Sequence, residues 1–195
     1  VAVFNSSMEF LGTFGNEELR SPYGITFYKQ ENNSYKVLVT DSYEYNNPRE
    51  DRILSWDFTI ESGEFSVGPA TVLGNPTLYQ VESIQADKHY QTVLVAEEMK
   101  EHHKVMALDL MTGEVIKEDL GNFDRGNDPE GIALVVNKNN NGYWICTEQS
   151  KTDNRFHLYD RKTLEYMTTM YLDNVSYTDG IATASVSYTH LTLPT

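Results

Sequence analysis

Asp128-Pro-Glu-Gly131 opens a run that continues as Ile132-Ala-Leu-Val-Val136, turns through polar residues 137–142 and returns as Tyr143-Trp-Ile-Cys-Thr-Glu-Gln149. Arg155-Phe-His-Leu-Tyr-Asp-Arg161 and Glu165-Tyr-Met-Thr-Thr-Met-Tyr-Leu172 complete the unit. Four short apolar or alternating runs separated by turn residues read as four antiparallel strands. The unit recurs. Pro22-Tyr-Gly-Ile25, Val81-Glu-Ser-Ile84, Pro129-Glu-Gly-Ile132 and Thr178-Asp-Gly-Ile181 line up, and Tyr23, Glu82, Glu130 and Asp179 fall at one position of the repeat with spacings of 59, 48 and 49.

After each of the first three heads comes a strand ending in polar residues: Val37-Leu-Val-Thr-Asp-Ser42, Val93-Leu-Val-Ala-Glu-Glu98 and Trp144-Ile-Cys-Thr-Glu-Gln149. A third strand follows in each: Ile53-Leu-Ser-Trp-Asp-Phe58, Val105-Met-Ala-Leu-Asp-Leu110 and Phe156-His-Leu-Tyr-Asp160. Such a period, with four strands per repeat, is the pattern of propeller blades. The fold expected is therefore an all-β propeller of four-stranded antiparallel blades. Its strands are expected near 23–29, 35–41, 52–59, 80–86, 92–97, 104–110, 114–119, 131–136, 143–148, 155–160 and 165–172. The longer first spacing is put down to a polar loop at 43–51, where 47–51 could form a helical turn; 99–104 could form another or a simple hairpin.

Composition narrows the partners. The 195 residues carry a net charge of −14, which argues against nucleic acid and anionic membranes. No apolar run is long enough for a membrane span, and a monomer is expected. The lone Cys146 lies in an apolar strand and reads as a small buried hydrophobe. Residues 1–184 are expected to form about three complete blades and two partial ones, a partial ring that opens on the last strands of a blade at Val1-Ala-Val-Phe4 and residues 8–15. Residues 185–195 lack charge and repeat pattern; they read as an unrelated tail, with a genuine edge strand as the alternative, and His190 is set aside as a ligand.

In a propeller the heads of the innermost strands face the central channel, so repetition gathers Glu82, Glu130 and Asp179 around one axis. Carboxylates brought together repel unless a cation sits among them. Oxygen donors of this kind suit Ca²⁺, which accepts about six to eight of them. Glu97, Glu98, Asp128 and Gln149 end neighbouring segments and could supply the rest. Alternatively, an acidic residue before Gly merely tightens a turn; its repetition favours the cation. His102 and His103 are expected to be solvent-exposed, no His/Cys cluster has zinc spacing, and no nucleophile elbow or phosphate-cradling glycine loop is present.

The ordered set of segments, covering nearly all of residues 8–184, resembles the β-propeller (alkaline) phytases and their phytase-like relatives. The resemblance implies a six-bladed propeller that hydrolyses phosphomonoesters of phytate with calcium at the channel mouth. It implies calcium ligands at Tyr23, Glu82, Glu98, Asp128, Glu130 and Gln149, with Asp173 and Asp179 matching further metal-binding acids. It also implies a phytate-like small-molecule substrate and a secreted or periplasmic location. Family phytases often carry Gly-Lys after the Val-Thr strand, the Lys meeting substrate phosphate; here Asp41-Ser42 stands there, and Ser83 replaces a usual Gly. The leading expectation is metal-assisted phosphomonoester hydrolysis. A non-catalytic calcium-binding propeller and a lactonase-like hydrolase remain open beside it.

Overall fold

A computed structural model describes all residues except Asn32, Asn75, Arg125 and 184–195, so the tail at 185–195 and His190 lie outside the described residues. Two short strands, β1 (Ala2–Phe4) and β2 (Phe10–Thr13), pair with each other. Three blades follow. The first holds β3 (Pro22–Lys29), β4 (Ser34–Asp41), β5 (Ile53–Glu61), β6 (Glu64–Val67) and β7 (Thr71–Val72). The second holds β8 (Val81–Asp87), β9 (Thr92–Glu97), β10 (Lys104–Asp109) and β11 (Val115–Lys117); the third holds β12 (Asp128–Val136), β13 (Gly142–Gln149), β14 (Arg155–Asp160) and β15 (Tyr166–Tyr171). Every pairing is antiparallel and, apart from that of β7 with β5, joins sequence neighbours, the meander of a propeller blade; no helix forms among the described residues.

The expected strands all form, with ends that differ by a few residues. The outermost strand of the first blade was not foreseen. It is split, β6 pairing with residues 58–61 of β5 and β7 with 54–55, because a turn at Ser62-Gly63 and a second crossing carry the chain past the same strand twice. Helical turns do not appear at 47–51 or 99–104; the latter closes the β9–β10 hairpin through the His102 N–H to Met99 carbonyl bond at 2.7 Å.

The blades bury their faces against one another. Leu38 and Ile53 of the first meet Val81, Ile84, Val95 and Met106 of the second. Leu94, Val105 and Ala107 meet Ile132, Trp144 and Tyr159 of the third. Cys146 is buried there as expected, and burial pushes its thiol up, so it acts as packing material. The alternation along β4, β9 and β13 leaves almost no exposed position, as expected for strands covered on both faces.

Candidate metal centre

One irregularity repeats at the head of every innermost strand. The register shifts between Pro22 and Ile25, between Val81 and Ile84, and between Pro129 and Ile132. Such a bulge re-aims a side chain out of the ladder, and the residues it frees are Tyr23, Glu82 and Glu130. The strand heads also pack closely across blades: Gly24 lies against the Glu82 carbonyl and Ile84 N–H, and Gly131 lies against the Asp179 carbonyl and Ile181 N–H. The segment 179–181 thus occupies the place of a fourth strand head, although it is not a strand.

Glu82, Glu98 and Glu130 converge, one oxygen of each lying within 4.8 Å of the others. Glu82 is 4% exposed and Glu130 5%, and Glu82 Oε2 is buried with no hydrogen-bond partner. Gln80 Nε2 bridges two of them, donating to Glu82 Oε1 at 3.1 Å and to Glu98 Oε2. Burial, then the closeness of the Glu82 carboxyl, pushes Glu98 up to about 8 and Glu130 up to about 9, with Asp179 adding to both. Burial followed by the Glu82 charge likewise pushes the Tyr23 hydroxyl up, although half its surface is open.

The remaining expected residues surround this trio unequally. Asp128 is pushed up by burial, with His103 Nε2 3.2 Å from its Oδ1 acting against the shift. Asp179 is exposed but close enough to raise Tyr23, Glu98 and Glu130. Gln149 spends its amide N–H on the Thr178 carbonyl at 2.6 Å. Asp173 is exposed in the segment after β15, and among the described residues no hydrogen bond or ion pair ties it to the trio. The expectation of exposed histidines fails at His103: its side chain is 11% exposed because it covers Asp128, while His102 stacks on Tyr79.

A second acidic column does different work. Asp41, Glu97 and Glu148 pair with Pro22, Val81 and Pro129 and so are equivalent in the three blades. Each accepts from the loop entering its own innermost strand: Asp41 from the Arg20 and Ser21 N–H groups, Glu97 from Tyr79 N–H, and Glu148 from Asp124 N–H and Asn127 Nδ2. Burial pushes Glu97 up; in Glu148 the His157 and Asn127 hydrogen bonds outweigh burial and hold it below its ordinary value. Glu97 therefore anchors a loop and does not join the trio. The alignment of the second strands already placed these three acids in one column, so the signal was there to be read.

A cleft of about 380 Å³ opens beside the trio, lined by Tyr45, Gln80, Glu98, Lys100, His103 and Asp128. A buried oxygen without a donor, among hard carboxylate donors kept close at the cost of raised pKa values, fits a hard cation such as calcium.

A family model described as Phytase matches residues 58–188. No curated protein matches the sequence. Among solved structures, a thermostable family-43 glycoside hydrolase is 12% identical, with a TM-score of 0.54 over 77% of this chain and 51% of that one. A chain of the nidogen/laminin complex is 14% identical, with a TM-score of 0.45 over 89% of this chain and 71% of that one. The first likeness concerns fold alone, and this chain spans about half the length of that structure.

Proposed function

We propose, since the chain belongs to the phytase family, that it supplies the metal centre of a calcium-dependent phosphomonoester hydrolase of the 3-phytase type. The observation that carries the reading is the buried, donor-less Glu82 Oε2 within reach of Glu98 and Glu130. These three would hold the cation, with Asp128, Asp179 and Tyr23 at its margin and Gln149 beside them. Calcium bound there would offset phosphate charge and lower the pKa of an attacking water. Gln80 holds Glu82 and Glu98 in position, and His103 screens Asp128. Lys100 and His103 put cationic or hydrogen-bonding groups on the wall by which a phosphate ester would enter. Three carboxylates alone would repel that ester, so the order is cation first, substrate second.

A phytate-like substrate and a secreted or periplasmic location go with this reading, and among the described residues there is no helix long and apolar enough to cross a membrane. One observation favours a calcium-binding module without turnover. Asp41 caps the Arg20 and Ser21 amides and Ser42 Oγ donates to the Val81 carbonyl, so neither presents a free group to phosphate. The test is phosphate release from phytate by the full-length protein in calcium chloride and in EGTA. Calcium-dependent release that Glu130→Gln abolishes supports the hydrolase; calcium binding without release supports the module; absence of calcium binding overturns both.

A further inference from the structure

The loop at 43–51, the extra length of the first repeat, is held from beneath by Arg52. The Arg52 side chain is 1% exposed and pairs with no carboxylate among the described residues. Every N–H of the guanidinium goes to a main-chain carbonyl instead: Nε to Leu78 at 3.3 Å, Nη1 to Asp41 at 3.0 Å and to Tyr43, Nη2 to Glu44 at 3.3 Å and to Asn47 at 2.8 Å. Arg49 and Leu78 exchange main-chain hydrogen bonds at 2.8 and 3.0 Å. Leu78 stands two residues before Gln80, whose amide bridges Glu82 and Glu98, so the loop and the entry to the trio form one unit. Glu44 sits at a φ of 50°, in the left-handed region, and its carbonyl is among those that Arg52 holds. Such a conformation costs energy in a residue other than glycine and persists only where its surroundings fix it.

The two tyrosines that flank this turn have different surroundings. Two guanidinium groups lie over the Tyr43 ring, Arg20 at 4.7 Å and Arg49 at 5.8 Å, so that side chain is engaged within the loop. Tyr45 is 50% exposed, and among the described residues no hydrogen bond or stacked cation engages it. With Met99 it lines the cleft of about 380 Å³ beside Glu98 and Asp128, where the exposed Lys100 also stands. An open aromatic ring on a fixed wall suits a ligand with a flat apolar face. Lys100 favours a ring that bears further phosphates over a bare aryl group. We propose that Tyr45 is a specificity-determining residue, its ring packing against the C–H face of a cyclitol that carries the phosphates. The inference rests on the hydrolase reading above and narrows its substrates to phosphate esters of ring alcohols, in preference to open-chain ones. The contact is with a part of the substrate that the reaction leaves unchanged, so it acts on KM and not on kcat.

Phosphate release from phytate, nitrophenyl phosphate and β-glycerophosphate by the full-length protein in calcium chloride tests this. Calorimetric titration with myo-inositol hexasulfate, a cyclitol ester whose binding requires no turnover, reads the same contact independently. Tyr45 is exposed, so the fold tolerates its substitution. Tyr45→Ala should raise KM for phytate and weaken hexasulfate binding by roughly three- to tenfold, the scale of one aromatic contact. Its kcat and its KM for β-glycerophosphate should stay near the wild-type values, and Tyr45→Trp, which keeps a ring, should retain tight binding. A KM rise confined to nitrophenyl phosphate overturns the cyclitol in favour of an aryl ester. Equal KM changes for phytate and β-glycerophosphate, or no change in either, overturn the role of Tyr45 and leave the hydrolase standing. Wild type that hydrolyses none of the three overturns the hydrolase reading. The hexasulfate titration then decides Tyr45 alone: weaker binding by Tyr45→Ala supports its contact, and equal affinity, or no binding by wild type, overturns it.

Discussion

Arg161 of the third blade closes on Asp87 of the second through two hydrogen bonds, Nε to Oδ2 and Nη2 to Oδ1, each 2.6 Å. Its Nη1 donates to the Asn140 carbonyl at 2.6 Å, and the guanidinium lies over the Tyr90 ring. The side chains are 4% and 2% exposed, so removing one partner strands the other charge away from water. Asp87→Ala should therefore cost about 3–5 kcal/mol, and the double change Asp87→Leu with Arg161→Met distinctly less. Urea denaturation of the wild type and the two variants checks this; a loss below ~1 kcal/mol for Asp87→Ala, the size of an ordinary surface change, would show that the pair is not effectively buried.

Gly131 makes a second, steric seam contact. A methyl group built there would stand 2.7 Å from the Asp179 carbonyl oxygen and 2.8 Å from the Ile181 nitrogen. Both obstacles are backbone and cannot rotate away. Gly131→Ala should push the 179–181 segment off the third blade at a cost of about 1–3 kcal/mol, the range of overpacked cores. It should also weaken calcium binding, since Asp179 moves with that segment. Thermal melts and calcium titration of Gly131→Ala read both effects, and unchanged values in both would remove the strand-head role assigned to Asp179.

The period carried most of the fold into view. Glu82, Glu98 and Glu130 were legible because repetition puts them at strand heads and strand ends, and a rotation around one axis turns sequence spacing into proximity. The split of β6 and β7 was not, because it depends on where residues 62–70 cross back over β5 and not on any local pattern. The pairing of Asp87 with Arg161 bridges 74 positions and leaves no trace in either blade's own alternation. His103 read as a charged-turn residue because nothing in its neighbours announces that Asp128 of the next blade lies over it. Asp41 was visible as a departure, yet its capping work required knowing that the Arg20 and Ser21 amides arrive unpaired at that strand end.

Glu148 offers a test that separates loop anchoring from metal binding. It is fully buried, accepts from Asn127 Nδ2 at 2.6 Å, and meets His157 Nε2 at 2.5 Å, with His157 held from its other side by Thr169. Glu148→Ala leaves several donors without an acceptor and should cost roughly 3 kcal/mol, the scale of losing hydrogen bonds to a buried charge. The lesion lies outside the trio, so calcium affinity of the folded fraction should change little. A large loss of affinity with normal stability would move Glu148 from the loop to the metal.

The pH dependence of stability follows from the trio. Glu98 and Glu130 carry folded pKa values of about 8 and about 9 without metal, well above the ordinary carboxylate value of 4.5. A raised folded pKa means that the contribution to stability is fully present below the unfolded value and is lost as pH rises through the folded one. Between those limits the unfolded chain has released its protons while the folded chain still holds them, so metal-free stability should fall from about pH 4.5 to about pH 9 and then level off. A bound cation keeps both groups ionised in the fold, reverses the comparison and cancels the decline, and its affinity should rise over the same range as protons cease to compete. Glu130→Gln cannot ionise at 130, so its metal-free decline should be the shallower. Melting temperatures at pH 5, 7 and 9 in EGTA and in calcium chloride, for wild type and Glu130→Gln, measure the difference. Parallel pH profiles for the two proteins in EGTA would mean that Glu130 is not held in a proton-retaining cluster, and that its carboxylate faces water instead of its two neighbours.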